Sequence, residues 1–137
     1  FGFDPKVAFV SHSTFGQPLT SRTKHIKNAV EILKSKNVNF EFDGDMQPDV
    51  ALNKEYKNLY PFSKIVGNAN ILIMPGQHSA AISYKMMKEL GDTKVIGPLL
   101  IGLGLPIEIA PLRSSTSEIL NLASIAAYSA DVIDYKK

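Results

Sequence analysis

The densest stretch of chemically capable side chains is Ser11-His12-Ser13-Thr14-Phe15-Gly16, which follows directly on an apolar run. Hydroxyls in such a loop can contact an anion or another ligand, or they can cap the helix that follows. Both readings stay open, because the Gly and Lys spacing of a P-loop and of a dinucleotide fingerprint is missing. Asp43-Gly44-Asp45 places two carboxylates side by side. Without the rest of a calcium loop they read as a carboxylate-lined turn, able to border a cleft but not to hold a metal. His12, His25 and His78 have no ligand spacing between them, so no metal site is expected. His78 stands in Gly76-Gln77-His78-Ser79, just before a helical pattern, where it can meet an anionic ligand or remain solvated. Ser115-Thr116-Ser117-Glu118 is a capping box, with the Ser115 hydroxyl aimed at the N–H of residue 118 and the Glu118 carboxylate aimed at the N–H of residue 115. That structural role accounts for both residues. No G-x-S-x-G nucleophile elbow occurs.

The elements that must position these residues alternate between apolar, β-branched runs and helical periodicities. Strands are expected at Val7–Ser11, Asn39–Phe42, Ala69–Met74, Val95–Leu103 and Ile107–Ala110, with Gly97-Pro98 bending the fourth. Asp43-Gly44-Asp45 should break the second strand. Helices are expected over Thr20–Lys36 (apolar face Ile26, Ala29, Val30, Leu33), Asp49–Leu59, Ser79–Leu90 and Ser115 to about Ala130. This order predicts an α/β domain with a mostly parallel sheet covered on both faces, a three-layer α/β/α arrangement over residues 1–137. Ligands of open parallel sheets bind where strand carboxyl ends meet helix N-termini. Here those places are the loops Ser11–Gln17, Asp43–Gln47, Pro75–Ser79 and Pro111–Ser117.

Composition narrows the classes. The length of 137 residues suits one compact domain, and 45% hydrophobic content is ordinary for a globular chain. A formal charge of +2 with scattered basic residues argues against nucleic acid as a partner, and no apolar run is long enough to span a membrane. Cysteine is absent, which removes disulfides and thiolate chemistry and fits a reducing, cytoplasmic setting. A chain that opens on Phe-Gly-Phe-Asp-Pro and enters a strand at once reads as a piece of something larger.

Several stretches are similar to the phosphate acetyltransferase family: Lys6-Val-Ala-Phe-Val-Ser-His-Ser-Thr-Phe-Gly16, Phe42-Asp-Gly-Asp-Met-Gln-Pro-Asp-Val-Ala-Leu52 and Ala69-Asn-Ile-Leu-Ile-Met-Pro75. Further on come Ile82-Ser-Tyr-Lys85, Ile96-Gly-Pro-Leu-Leu-Ile-Gly102 and Ser114-Ser-Thr-Ser-Glu-Ile-Leu-Asn-Leu-Ala123. Phe15-Gly16 and Leu59-Tyr-Pro-Phe-Ser63 look like the branch of that family fused to NADP-dependent malic enzymes. The resemblance implies the second lobe of a two-lobed fold akin to the isocitrate and isopropylmalate dehydrogenases. In the acetyltransferases a Ser-Arg pair lies ahead of the last helix, and an acidic residue in its first turn is thought to activate the coenzyme A thiol. Matching Glu118-Ile119 to that acidic step puts Pro111 and Leu112 at the Ser-Arg positions. Neither side chain can hold an anion, and leucine cannot replace a bidentate guanidinium contact. Acetyl transfer is therefore expected to be lost, surviving only if Arg113 and Glu118 carry it through a one-residue shift.

What the resemblance then implies is a regulatory domain that binds acetyl-CoA or coenzyme A. The expected ligand-binding residues are Ser11, Ser13, Thr14, Gly76, Gln77, His78, Ser79, Tyr84, Lys85, Ser114 and Ser115. NADP and Mg or Mn would belong to a catalytic region outside this sequence, which oxidatively decarboxylates malate to pyruvate. The rest of the parent chain and further copies in a homo-oligomer are the expected partners. Two alternatives accompany this reading: a working phosphate acetyltransferase, and a purely structural oligomerisation module built on the last helix, with Ile119, Leu122, Ala123, Ile125 and Ala126 on its apolar face.

Overall fold

The computed structural model describes residues 2–92 and 94–134. Three strands, β1 (Lys6–Val10), β2 (Glu41–Met46) and β3 (Ile71–Ile73), form a parallel sheet in the order β2-β1-β3. Between and after them run α1 (Ser21–Ser35), the short α2 (Pro48–Leu52) and α3 (Lys54–Lys57), α4 (Gln77–Leu90) and α5 (Thr116–Asp134). The chain divides into two compact units, Phe1–Lys85 and Met86–Lys137.

In the first unit β1 is the central strand, and Val7, Ala8 and Val10 are buried there as an apolar run demands. Ala8 packs with Met46, Val50, Ala51, Ile65 and Ala69, and Phe15, Tyr60 and Leu72 close over that cluster. Helix α1 starts at a reciprocal Thr20–Thr23 cap, and its apolar stripe places Val30 in the interior. Ala29, expected on the same face, is exposed.

The second strand corrects the sequence expectation. It begins later than Asn39, and it runs straight through Asp43-Gly44-Asp45, although two aspartates and a glycine look like a breaker. Gly44 makes this possible: it sits at φ 152°, and a Cβ there would lie 2.7 Å from both Cβ and O of Phe9 on β1. Only a residue without a side chain allows that approach. The register then slips, with Phe9 opposite Gly44 and Val10 opposite Met46, so Asp45 is the extra residue of a bulge.

Other boundaries shift for local reasons. The helix expected over Asp49–Leu59 is interrupted at Asn53, whose extended backbone ends α2 and whose side chain accepts the Glu55 N–H to start α3. Helix α4 begins at Gln77 instead of Ser79, and α5 reaches past Ala130 to Asp134. The runs Val95–Leu103 and Ile107–Ala110 are not strands. Within the first run Pro98 lacks a ladder donor and the Leu100 N–H is taken by the Glu108 carboxylate at 3.2 Å, which interrupts any ladder there.

Candidate functional site

In the first unit the loops that follow β1, β2 and β3 all leave the sheet at the same end, as parallel strands require. The loop after β1 carries Ser11, Ser13 and Thr14, all three buried. Its folding centres on Asp45, which the bulge turns out of the ladder and which is 2% exposed. The Ser13 hydroxyl donates to Asp45 Oδ2 in a short contact, and the Gly16 N–H donates to Asp45 Oδ1 at 3.0 Å. The Phe15 N–H donates to the Asp45 carbonyl at 2.6 Å. Ser11 Oγ accepts the Ser13 N–H at 2.9 Å, and Thr14 Oγ1 accepts the Gln47 N–H at 3.2 Å. All three hydroxyls are thus engaged inside the protein, and the loop's outer surface is formed by His12, Gln17 and backbone. Gln47 ties the end of β2 to the same loop by donating from Nε2 to the His12 carbonyl at 2.9 Å.

Asp45 is the residue that reading the sequence as a turn passes over. The signal was present as two carboxylates around a glycine, but only the bulge tells which one faces the loop. Asp43 points elsewhere and accepts the Lys64 N–H at 2.8 Å. Phe15, held at φ 49°, presents its ring to Tyr60 and Phe62 at centroid distances of 5.5 and 4.8 Å. Phe15 and the Leu59–Ser63 segment, far apart in sequence, therefore form one aromatic cluster.

Beyond β3, Gly76 precedes α4, and Gln77, His78 and Ser79 occupy its first turn instead of a loop. Gln77 and His78 are exposed, while the Ser79 hydroxyl donates to the Gly76 carbonyl at 2.8 Å. Tyr84 and Lys85 lie two turns further along, half-buried and exposed respectively.

The second unit holds the remaining candidates. Ser115 and Glu118 make the expected capping box: Ser115 N–H and Oγ both donate to Glu118 Oε2, at 2.7 and 3.0 Å, and Glu118 N–H donates to Ser115 Oγ at 3.3 Å. Lys88 completes the arrangement, with Nζ 2.6 Å from Glu118 Oε1. The Lys88 ammonium, followed by the Ser115 backbone and hydroxyl, holds the Glu118 carboxyl at about 2, below its ordinary 4.5. A carboxylate so stabilised is a weak base. A thiol of ordinary pKa, about 8.5, would be activated far better by a group titrating near neutrality. Ahead of the helix, Ser114 N–H donates to the Pro111 carbonyl at 2.9 Å, closing a turn whose outer positions are Leu112 and Arg113. Leu112 is fully exposed, at 103% of its reference area. Among the described residues no group of three or more His, Cys, Asp or Glu side chains could hold a metal ion, and no helix is long and apolar enough to cross a membrane.

This arrangement has relatives. The family model for phosphate acetyl/butaryl transferase matches residues 1–127. The chain belongs to that family. It is 49% identical to an NADP-dependent malic enzyme of Rhizobium meliloti across 94% of its own length, which is 17% of the length of that relative. It is 35% identical to a phosphate acetyltransferase of Clostridium acetobutylicum across 93% of its length, or 38% of that enzyme. A phosphotransacetylase from Streptococcus pyogenes shares the α/β fold with a TM-score of 0.86 and 35% identity, covering 93% of this chain and 39% of that one. The chain therefore spans well under half of the relatives it matches, and its partners in sequence include both malic enzymes and acetyltransferases.

Proposed function

We propose that this chain is the acetyl-CoA-binding, non-catalytic regulatory domain of a malic enzyme. The parent protein would oxidatively decarboxylate malate to pyruvate in the cytoplasm, with NADP and Mg or Mn held by a catalytic region outside this sequence. The domain would bind acetyl-CoA, contribute to homo-oligomerisation and couple ligand to activity by an energy of about 1–3 kcal/mol, the usual scale of allostery. One observation carries the reading: the turn before α5 presents Pro111 and an exposed Leu112 where the resemblance to the acetyltransferases calls for a Ser-Arg pair. An acyl phosphate needs a cation against its developing charge, and neither residue offers one. The Lys88–Glu118 pair supports the same conclusion, because it engages the carboxylate that would otherwise serve the thiol. Similarity to a malic enzyme over nearly the whole chain supports the parent's identity.

The proposed ligand positions are the surface around Ser11, Ser13 and Thr14, the α4 start from Gly76 to Ser79, Tyr84 and Lys85, and the Ser114-Ser115 step. Malate decarboxylation by the parent enzyme, measured across acetyl-CoA concentrations with and without these 137 residues, tests the assignment. The response should disappear with the domain. An unchanged response after deletion refutes a regulatory role, and dissociation of the oligomer alone would favour a purely structural one.

Arg113, one residue beyond the expected arginine position and exposed, supports a second reading in which acetyl transfer survives. Formation of acetyl-CoA from acetyl phosphate and coenzyme A, abolished by Arg113→Ala, would establish it.

A further inference from the structure

The amino-terminal end of β2 lies at the opposite end of the sheet from the loops that follow β1, β2 and β3, and it carries a recess. Between the end of α1 and this edge strand is an open hollow of about 320 Å³. That volume is at the small end of the range for ligand sites. Val38, Phe40 and Phe42 line it with apolar surface, and the two rings meet edge to face with centroids 6.0 Å apart. All three side chains are only half-buried, so the rings are available to a flat partner.

Charge is arranged around this apolar floor. Lys34 and Lys64 line the hollow together with Asn37. Lys34 is committed to Glu31 at 2.6 Å. Lys64 is different: its backbone N–H goes to Asp43, while its ammonium makes no ion pair among the described residues. Glu41 also lines the hollow, but its carboxylate is tied to the Val66 N–H at 2.7 Å. Glu31 reports the local field. Lys34 first, then Lys27 and Lys64, lower its pKa, so at this edge three lysines stand against the two carboxylates of Glu31 and Glu41.

We propose that this hollow is a binding site for a small planar ring system carrying one anionic group, the chemistry of a nucleoside monophosphate. The ring would stack on the face of one of Phe40 and Phe42 and meet the edge of the other, since the two are inclined at 63°, and the anion would meet Lys64. Apolar contact and a single charge are each weak alone, and their combination in one recess gives the selectivity. The site is separate from the acetyl-CoA positions proposed above and does not depend on them.

A ¹H–¹⁵N titration of the chain with adenosine monophosphate, adenosine and inorganic phosphate in parallel tests it. Adenosine monophosphate should give saturable shifts at Val38, Phe40 and Phe42 with a Kd below about 1 mM, roughly tenfold tighter than adenosine or phosphate. Lys64→Gln, at an exposed position, should weaken adenosine monophosphate roughly tenfold and leave adenosine unchanged. Absence of saturable shifts overturns the proposal. So do shifts centred elsewhere, phosphate binding as tightly as the nucleotide, or a Lys64→Gln variant that binds as the unsubstituted chain does.

Discussion

Two acidic residues organise the two units, and they do so under opposite physical conditions. Asp45 is buried at the bulge of β2 and is satisfied by a hydroxyl and an amide of the loop it holds. Glu118 is partly exposed at the start of α5 and is satisfied by a hydroxyl, an amide and a lysine. Burial makes the first a determinant of loop shape, since removing it strands polar groups away from water. Exposure makes the second replaceable, since water can take over every contact it makes. The difference separates a residue that builds a site from one that occupies it.

Asp45→Ala should have the largest effect. It leaves the Ser13 hydroxyl and Gly16 amide without their acceptor in a buried position, and a loss of about 2–4 kcal/mol in unfolding free energy is expected. Chemical denaturation checks it; a loss no larger than that of an exposed substitution would show that the loop does not depend on Asp45. Glu118→Gln should cost less at neutral pH, because glutamine keeps the capping box. Its effect shows in the pH dependence. The folded-state pKa is about 2, below the ordinary 4.5, so the stabilisation from Glu118 is fully present above pH 4.5 and is lost as the pH falls toward 2. Melting curves across that window should fall less steeply for Glu118→Gln than for the unsubstituted protein, and parallel slopes would remove the Lys88–Glu118 pair from the account. The smallest effect is expected at Leu112→Ser. The side chain is fully exposed, so stability should change by less than about 0.5 kcal/mol, and a larger loss would mean that Leu112 is covered in the folded protein.

The same contrast explains what the sequence could reveal. The Ser115–Glu118 box was legible because capping is local: four residues and a helical pattern suffice to specify it. Val7–Val10 was legible because an apolar run buried on both faces leaves few alternatives. The Asp43–Asp45 strand was not, because its reason is the closeness of Gly44 to Phe9, a residue far away in sequence. The candidate hydroxyls Ser11, Ser13 and Thr14 were found as a group, but their burial was not, because Ser13 is held by Asp45 at the register slip and Thr14 by the Gln47 N–H, both distant in sequence. Val95–Leu103 and Ile107–Ala110 read as strands from their apolar content, whereas the structure gives their backbone no sheet partner. The aromatic cluster of Phe15, Tyr60 and Phe62 joins two segments that only the fold brings together.

The proposed function requires a domain of the phosphate acetyl/butaryl transferase family to bind the thioester without transferring the acetyl group. Calorimetric titration of the intact parent protein with acetyl-CoA tests this most directly. A saturating heat at millimolar ligand or below, with no acetyl phosphate formed when phosphate is present, is the predicted result. No heat at millimolar acetyl-CoA, or turnover to acetyl phosphate, would contradict it.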